Sequence, residues 1–123
     1  MANLVSGTGL ESRMLPRLDD DNREFWTSGG SGQLRLPRCP ACDRWIFPPV
    51  RTCPGCGGPA AYEALSGQGT VYTFTVNHHP FNPAVSLPYV IAVVELTEQA
   101  DLRFTTNIVN CPPESVTVGM PVR

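Results

Sequence analysis

The sequence predicts a mainly β chain: a short N-terminal helix, a zinc ribbon, and a small, incomplete barrel of the oligonucleotide/oligosaccharide-binding (OB) type. Three observations carry this. Two CxxC pairs, Cys39-Pro-Ala-Cys42 and Cys53-Pro-Gly-Cys56, lie ten residues apart. The second half alternates apolar and polar residues in runs of strand length. Glycines at 67, 69 and 119 punctuate those runs where bulges and turns belong.

The cysteine pairs fix the centre. Each offers two sulfurs from one tight turn, and two such turns close on a single tetrahedral ion, so Cys39, Cys42, Cys53 and Cys56 are the expected ligands of one structural zinc. Pro40, Pro54, Gly55, Gly57 and Gly58 are the residues that turns around sulfur require. Two disulfides are the competing arrangement, weakened by the fifth cysteine, Cys111, and by the lack of a secretory signal in residues 1–18. Four thiolates complete a tetrahedron, which leaves no position for a catalytic water.

Residues 1–32 are expected to form an arm, 33–62 the ribbon and 63–123 the barrel. Residues 1–15 are small, polar and unpatterned, and are expected to be mobile or partner-dependent. Asp19-Asp20-Asp21 then supplies an N-cap and an acidic first turn for a helix over about 20–27, stopped by Gly29-Gly30. Phe25 and Trp26 are adjacent, so they cannot share one narrow stripe of that helix: either one packs within the chain and the other meets something else, or both are buried within it. Leu34–Arg38 leads into the first knuckle as a strand. Arg44–Pro49 forms the arm between the knuckles, with Trp45 and Phe47 alternating across a strand.

In the barrel region, Val71–Val76 alternates, Tyr89–Leu96 is apolar on both faces and therefore central, and Leu102–Val109 alternates again. Thr97–Asp101 has hairpin length. Val116–Val118 reads as a fourth, short strand and Pro121–Arg123 as the start of another, so the five-stranded barrel looks open at its C-terminal end.

Composition bounds the function. The chain has 123 residues, a net charge of −2 and nine arginines with no lysine, a poor start for non-specific binding to a phosphate backbone. Arg35, Arg38, Arg44 and Arg51 nonetheless cluster around the knuckles, with Trp45 and Phe47 between them. They suit neutralisation of a tetrathiolate zinc, or an anion contact, or a nucleic-acid-binding module as the alternative function. No run reaches the roughly 18 apolar residues of a membrane span. Zinc-type thiols without an export signal point to the cytoplasm.

The ordered set of Phe25-Trp26, CPAC, the Phe47–Gly57 arm, Gly67-x-Gly-x-Val71, Pro88-Tyr-Val and Val118-Gly-Met-Pro-Val122 resembles an acyl-CoA-associated OB-fold family that carries a rubredoxin-like zinc ribbon, once a domain of unknown function. The resemblance covers roughly residues 16–123. It implies a noncatalytic accessory subunit that binds and stabilises a thiolase-like, lipid-transfer-protein-like enzyme. The enzyme it implies is a retro-aldolase that cleaves a steroid side-chain CoA thioester, with this chain helping to form the acyl-CoA channel. This sequence departs from the family at 98–101, where Glu-Gln-Ala-Asp lacks the usual hairpin glycine.

Outside the cysteine pairs the sequence offers few groups for chemistry. His78 and His79 open a proline-stiffened loop with Phe81 near its tip, and no neighbouring acid or thiol completes a constellation. Cys111 precedes two prolines and has no adjacent base. No catalytic residue is expected. The candidates for partner or acyl-CoA contact are Phe25, Trp26, Arg44, Trp45, Arg51, His78, His79 and Phe81.

Overall fold

The computed structural model describes residues 14–123, so the expected arm over residues 1–15 falls almost wholly outside them. Two compact units are formed, one from Pro16–Gly67 with Leu96–Leu102, the other from Gln68–Glu95 with Arg103–Arg123.

The first unit begins with a turn built on one carboxylate. Asp19 accepts the backbone N–H groups of Asp21 at 2.9 Å and Asn22 at 2.8 Å. This polar turn occupies the positions expected to be helical, so α1 is confined to Arg23–Thr27. A 3₁₀ turn, Ser28–Ser31, follows, and Gly32 ends it at a φ of 77°, where a side chain would be strained. The two aromatics part as expected: Phe25 is 5% exposed and Trp26 45%. Phe25 packs edge-on to Trp26 at 4.9 Å between ring centres and lies 5.7 Å from Phe47.

A three-stranded antiparallel sheet follows in the order β2-β1-β3, with β1 at Leu34–Cys39, β2 at Arg44–Trp45 and β3 at Ala61–Leu65. β1 pairs along its length with β3, from Leu34 opposite Leu65 to Arg38 opposite Ala61. The expected strand through Phe47 is shorter. It ends at Trp45, because Pro48 and Pro49 have no N–H to continue a ladder. Trp45 and Ile46 turn inward and Phe47 lies partly exposed.

In the second unit, β4 (Gly69–Asn77), β5 (Tyr89–Leu96), β6 (Arg103–Ile108) and β7 (Pro121–Val122) form a sheet in the order β6-β5-β4-β7. β5 is central as expected, and its register with β6 runs from Val90 opposite Ile108 to Glu95 opposite Arg103. One face is packed with Val71, Val90, Ala92, Val94, Phe104 and Ile108, closed by Val116 and Val122. On the other, the Arg103 guanidinium lies 3.9 Å from the Tyr72 ring centre, with its Nε 2.8 Å from Glu95. Gly69 is obligatory on steric grounds: a Cβ there would meet the Glu95 carbonyl oxygen at 2.6 Å and the Val94 side chain at 2.9 Å.

The expected strand at Val116–Val118 is absent. Pro113–Ser115 forms a 3₁₀ turn, Val116 drops into the core, and Gly119 reverses the chain at a φ of 87°. Only then does β7 pair, with Gly69 and Thr70. The result is a four-stranded half-barrel consistent with an OB fold.

Candidate metal centre

The ribbon sheet delivers the first cysteine pair and the following loop delivers the second. Cys39 closes β1, and the turn back to β2 is held by the Asp43 N–H donating to the Cys39 carbonyl at 2.7 Å. Asp43 adopts a φ of 59°, which a short polar residue tolerates. The second knuckle is closed from both sides, by Cys53 N–H to the Gly58 carbonyl and Gly57 N–H to the Cys53 carbonyl, each 2.8 Å. Cys39 and Cys53 pack with Ile46, and Val50 and Ala60 lie against them, so apolar packing itself brings the knuckles together.

All four sulfurs lie within 4.8 Å of one another. Cys39 Sγ is 3.6 Å from Cys56 Sγ, and Cys53 Sγ is 4.0 Å from Cys42 Sγ. A tetrahedron with metal–sulfur bonds of about 2.3 Å has edges of about 3.8 Å, so the spacing fits a single zinc ion. It is far beyond the roughly 2.05 Å of a disulfide, and all five cysteines are free. Backbone N–H groups also aim at sulfur: Cys42 at Cys39, Gly55 at Cys53 and Gly58 at Cys56, each 3.4 Å away. Such donors stabilise thiolates.

The thiols respond to this crowding. Hydrogen bonding to Cys56, then to Cys39 and Cys53, pushes Cys42 up to about 12, whereas the backbone N–H groups of Cys56 and Gly55 draw Cys53 down to about 7. Four sulfurs this close cannot all be anionic without a cation between them. A zinc ion held by Cys39, Cys42, Cys53 and Cys56 would supply that cation in place of the shared protons. The centre is a structural one, because its four ligands come from the protein.

The arginines near the knuckles are mostly engaged by carboxylates. Arg35 pairs with Glu24 at 2.7 Å, Arg38 with Asp43 at 2.6 Å and Glu63 at 3.7 Å, and Arg44 with Asp101 at 3.3 Å. Arg38 also lies 5.0 Å from the Trp45 ring centre. Arg51 differs: among the described residues no carboxylate pairs with its side chain, which lines an open cleft of about 510 Å³ with Asp20, Arg23, Glu24, Thr27 and Tyr62. Arg23 lines the same cleft from a position 28 residues earlier in the chain.

Of the other candidates, Phe25 and Trp45 are buried within the first unit. Trp26 keeps nearly half its surface exposed. His78, His79 and Phe81 lie exposed on the β4–β5 loop, where the His79 ring sits 4.4 Å from Phe81 and Asn77 bonds the His79 backbone. Phe81 is 76% exposed, and Cys111 is half-buried. No described helix is long and apolar enough to cross a membrane.

Comparison with known proteins is consistent with this site. Residues 26–63 match the family model described as the ChsH2 rubredoxin-like zinc ribbon domain, and residues 62–123 match the ChsH2 C-terminal OB-fold domain. A probable enoyl-CoA hydratase alpha subunit of Thermomonospora curvata is 40% identical over 112 residues, which is 89% of this chain and 34% of that protein. The 3-oxo-4,17-pregnadiene-20-carboxyl-CoA hydratase alpha subunit of Mycobacterium tuberculosis is 35% identical over 114 residues, 92% of this chain and 36% of that protein. A DUF35 domain-containing scaffold protein of Methanocaldococcus jannaschii is 44% identical over 88 residues, 69% of this chain and 61% of that protein. The chain thus spans about a third of the two hydratase subunits and about three fifths of the scaffold protein. A solved structure described as an Ltp2-ChsH2(DUF35) aldolase superposes with a TM-score of 0.77 at 38% identity, covering 87% of this chain and 84% of that one.

Proposed function

The chain belongs to the ChsH2 family, whose OB-fold domain matches half of it, and from this membership we propose that it is an accessory subunit of an acyl-CoA enzyme. Its partner is a thiolase-like, lipid-transfer-protein-like retro-aldolase that cleaves a steroid side-chain CoA thioester in the cytoplasm. The observation that carries the reading is the similarity, at 38% identity over most of both chains, to a component of a solved Ltp2-ChsH2(DUF35) aldolase.

In this reading the chain's own residues bind and orient rather than react. Zinc, when bound, supplies rigidity: Cys39, Cys42, Cys53 and Cys56 would hold it and so fix both knuckles. Trp26 and Phe81, with exposed rings, offer apolar anchors to a partner. Beside the partner, the chain helps to form the channel for the acyl-CoA. The names of the two hydratase alpha subunits favour a second reading, in which the partner is a hydratase instead. The nucleic-acid alternative loses support, since Arg35, Arg38 and Arg44 are committed to carboxylates.

The test is an affinity pull-down of the zinc-loaded chain from its native cell, with mass spectrometry of what is retained. A stoichiometric thiolase-like protein is expected. A hydratase-fold protein in its place would establish the second reading, and a monodisperse chain with nothing retained would refute both.

A further inference from the structure

We propose that Gln99 is a positioning residue of the metal centre: its side-chain amide holds the strand that leaves the first knuckle, and so keeps Cys42 where a zinc ligand must be. The two cysteines of that knuckle are secured in different ways. Cys39 ends β1 and is 0% exposed, packed with Ile46 and Cys53, so the core fixes it. Cys42 is exposed, and its place depends on where the chain on either side of it is anchored. Upstream that anchor is Cys39. Downstream it is β2, which begins two residues after Cys42.

By itself β2 is a weak anchor. It lies at the edge of the three-stranded sheet, and its register with β1 rests on two pairs, Arg38 opposite Trp45 and Cys39 opposite Arg44. On that side the Ile46 N–H adds one bond, to the Pro37 carbonyl at 2.9 Å. The N–H and carbonyl of Trp45 point the other way, where an edge strand leaves such groups unpaired. Gln99 meets both, accepting the Trp45 N–H and donating to the Trp45 carbonyl. It stands in the turn from Thr97 to Asp101, which belongs to the same compact unit as the knuckles. The turn is itself held: the Leu102 N–H donates to the Gln99 carbonyl at 3.2 Å, and the Leu96 N–H to the Leu102 carbonyl at 2.9 Å. The Gln99 Nε2 also lies 3.4 Å from the Asp101 carboxylate, which pairs with Arg44 of β2. β2 is therefore gripped along both edges, and a shift of β2 would carry Cys42 with it. Groups behind the ligands that fix their orientation govern metal affinity alongside the ligands themselves. The inference concerns the centre alone and holds whichever partner the chain binds.

The experiment compares the full chain with Gln99→Ala, Gln99→Glu and Glu98→Gln. Glu98 is the neighbour in the same turn, but it accepts from Ser66 and not from β2. Two readouts are taken: the equilibrium transfer of zinc to a chromogenic chelator, and the visible absorption of the cobalt-substituted protein, which reports the geometry of the four sulfurs. Gln99→Ala should weaken zinc binding roughly tenfold and shift or broaden the cobalt bands. Gln99→Glu keeps an acceptor for the Trp45 N–H and should lose less. Glu98→Gln should keep the parent zinc affinity and the parent bands. Parent affinity in Gln99→Ala would overturn the proposal. So would a weaker affinity with unchanged cobalt bands, which is what general destabilisation gives, or an equal change in Glu98→Gln. If Gln99→Ala does not fold, Gln99→Glu decides, and parent-like zinc binding and cobalt bands in that variant overturn the role.

Discussion

The side-chain amide of Gln99 holds the backbone of Trp45 from both sides: its Oε1 accepts the Trp45 N–H at 2.8 Å, and its Nε2 donates to the Trp45 carbonyl at 3.1 Å. In effect Gln99 supplies the hydrogen bonds of one further strand position beside β2, which is only two residues long. Two neighbours in the same turn assist. Glu98 accepts the Ser66 N–H at 2.6 Å, and Asp101 pairs with Arg44.

Gln99→Ala should therefore destabilise the ribbon by about 1–3 kcal/mol, the consequence of leaving two half-buried backbone groups without partners. Gln99→Glu keeps the acceptor and loses the donor to the Trp45 carbonyl, and should fall between the two. Urea unfolding followed by Trp fluorescence measures this. A loss confined to the surface range of about 0.5 kcal/mol would show that water replaces the amide.

Removing zinc by chelation, or replacing Cys39 or Cys53 with serine, should unfold the ribbon, because the ion and the small core around these buried sulfurs form together. Cobalt substitution should give the absorption of a tetrahedral tetrathiolate site. Cys53→Ser with full zinc content and an unchanged fold would refute the structural role.

Phe25 and Trp26 should separate folding from partner binding. Phe25→Ala removes a buried ring and should cost about 3–5 kcal/mol. Trp26→Ala removes a half-exposed ring and should leave thermal stability within a few degrees while weakening capture of the partner at least tenfold. Unchanged capture would remove Trp26 from the interface.

Acid should act through Glu98. Burial pushes its carboxyl up, but the Ser66 N–H and the hydroxyls of Ser66 and Thr97 outweigh this, so its pKa lies below the ordinary value. A depressed folded-state value means that the stabilisation is complete above the unfolded carboxyl pKa of about 4.3 and is lost as pH falls through the folded value. The stability gap between the parent chain and Glu98→Gln should therefore narrow as pH falls below the ordinary carboxyl range. Zinc competition with protons affects both proteins, and the comparison cancels it. A gap that does not change with pH would exclude this role.

The metal ligands and the three long strands were legible because each is written locally, as cysteine spacing or as alternation. What was missed depends on distant or competing groups. Val116 carries strand-like neighbours, yet the 3₁₀ turn at Pro113–Ser115 and the reversal at Gly119 use the segment to turn a corner. The helix began later than expected because the Asp19 carboxylate captured the backbone first. The missing hairpin glycine proved unnecessary, since Asp101 takes the left-handed conformation at a φ of 70°. The bond from Gln99 to Trp45 spans 54 positions, and no local pattern announces it.

The four cysteines are not equivalent towards solvent. Cys39 and Cys53 are sealed in, whereas Cys42 and Cys56 face outward. An ion held there has a closed side and an open side, and a chelator or an oxidant arrives at the open one. Oxidation or chelation should therefore reach Cys42 and Cys56 before Cys39 and Cys53.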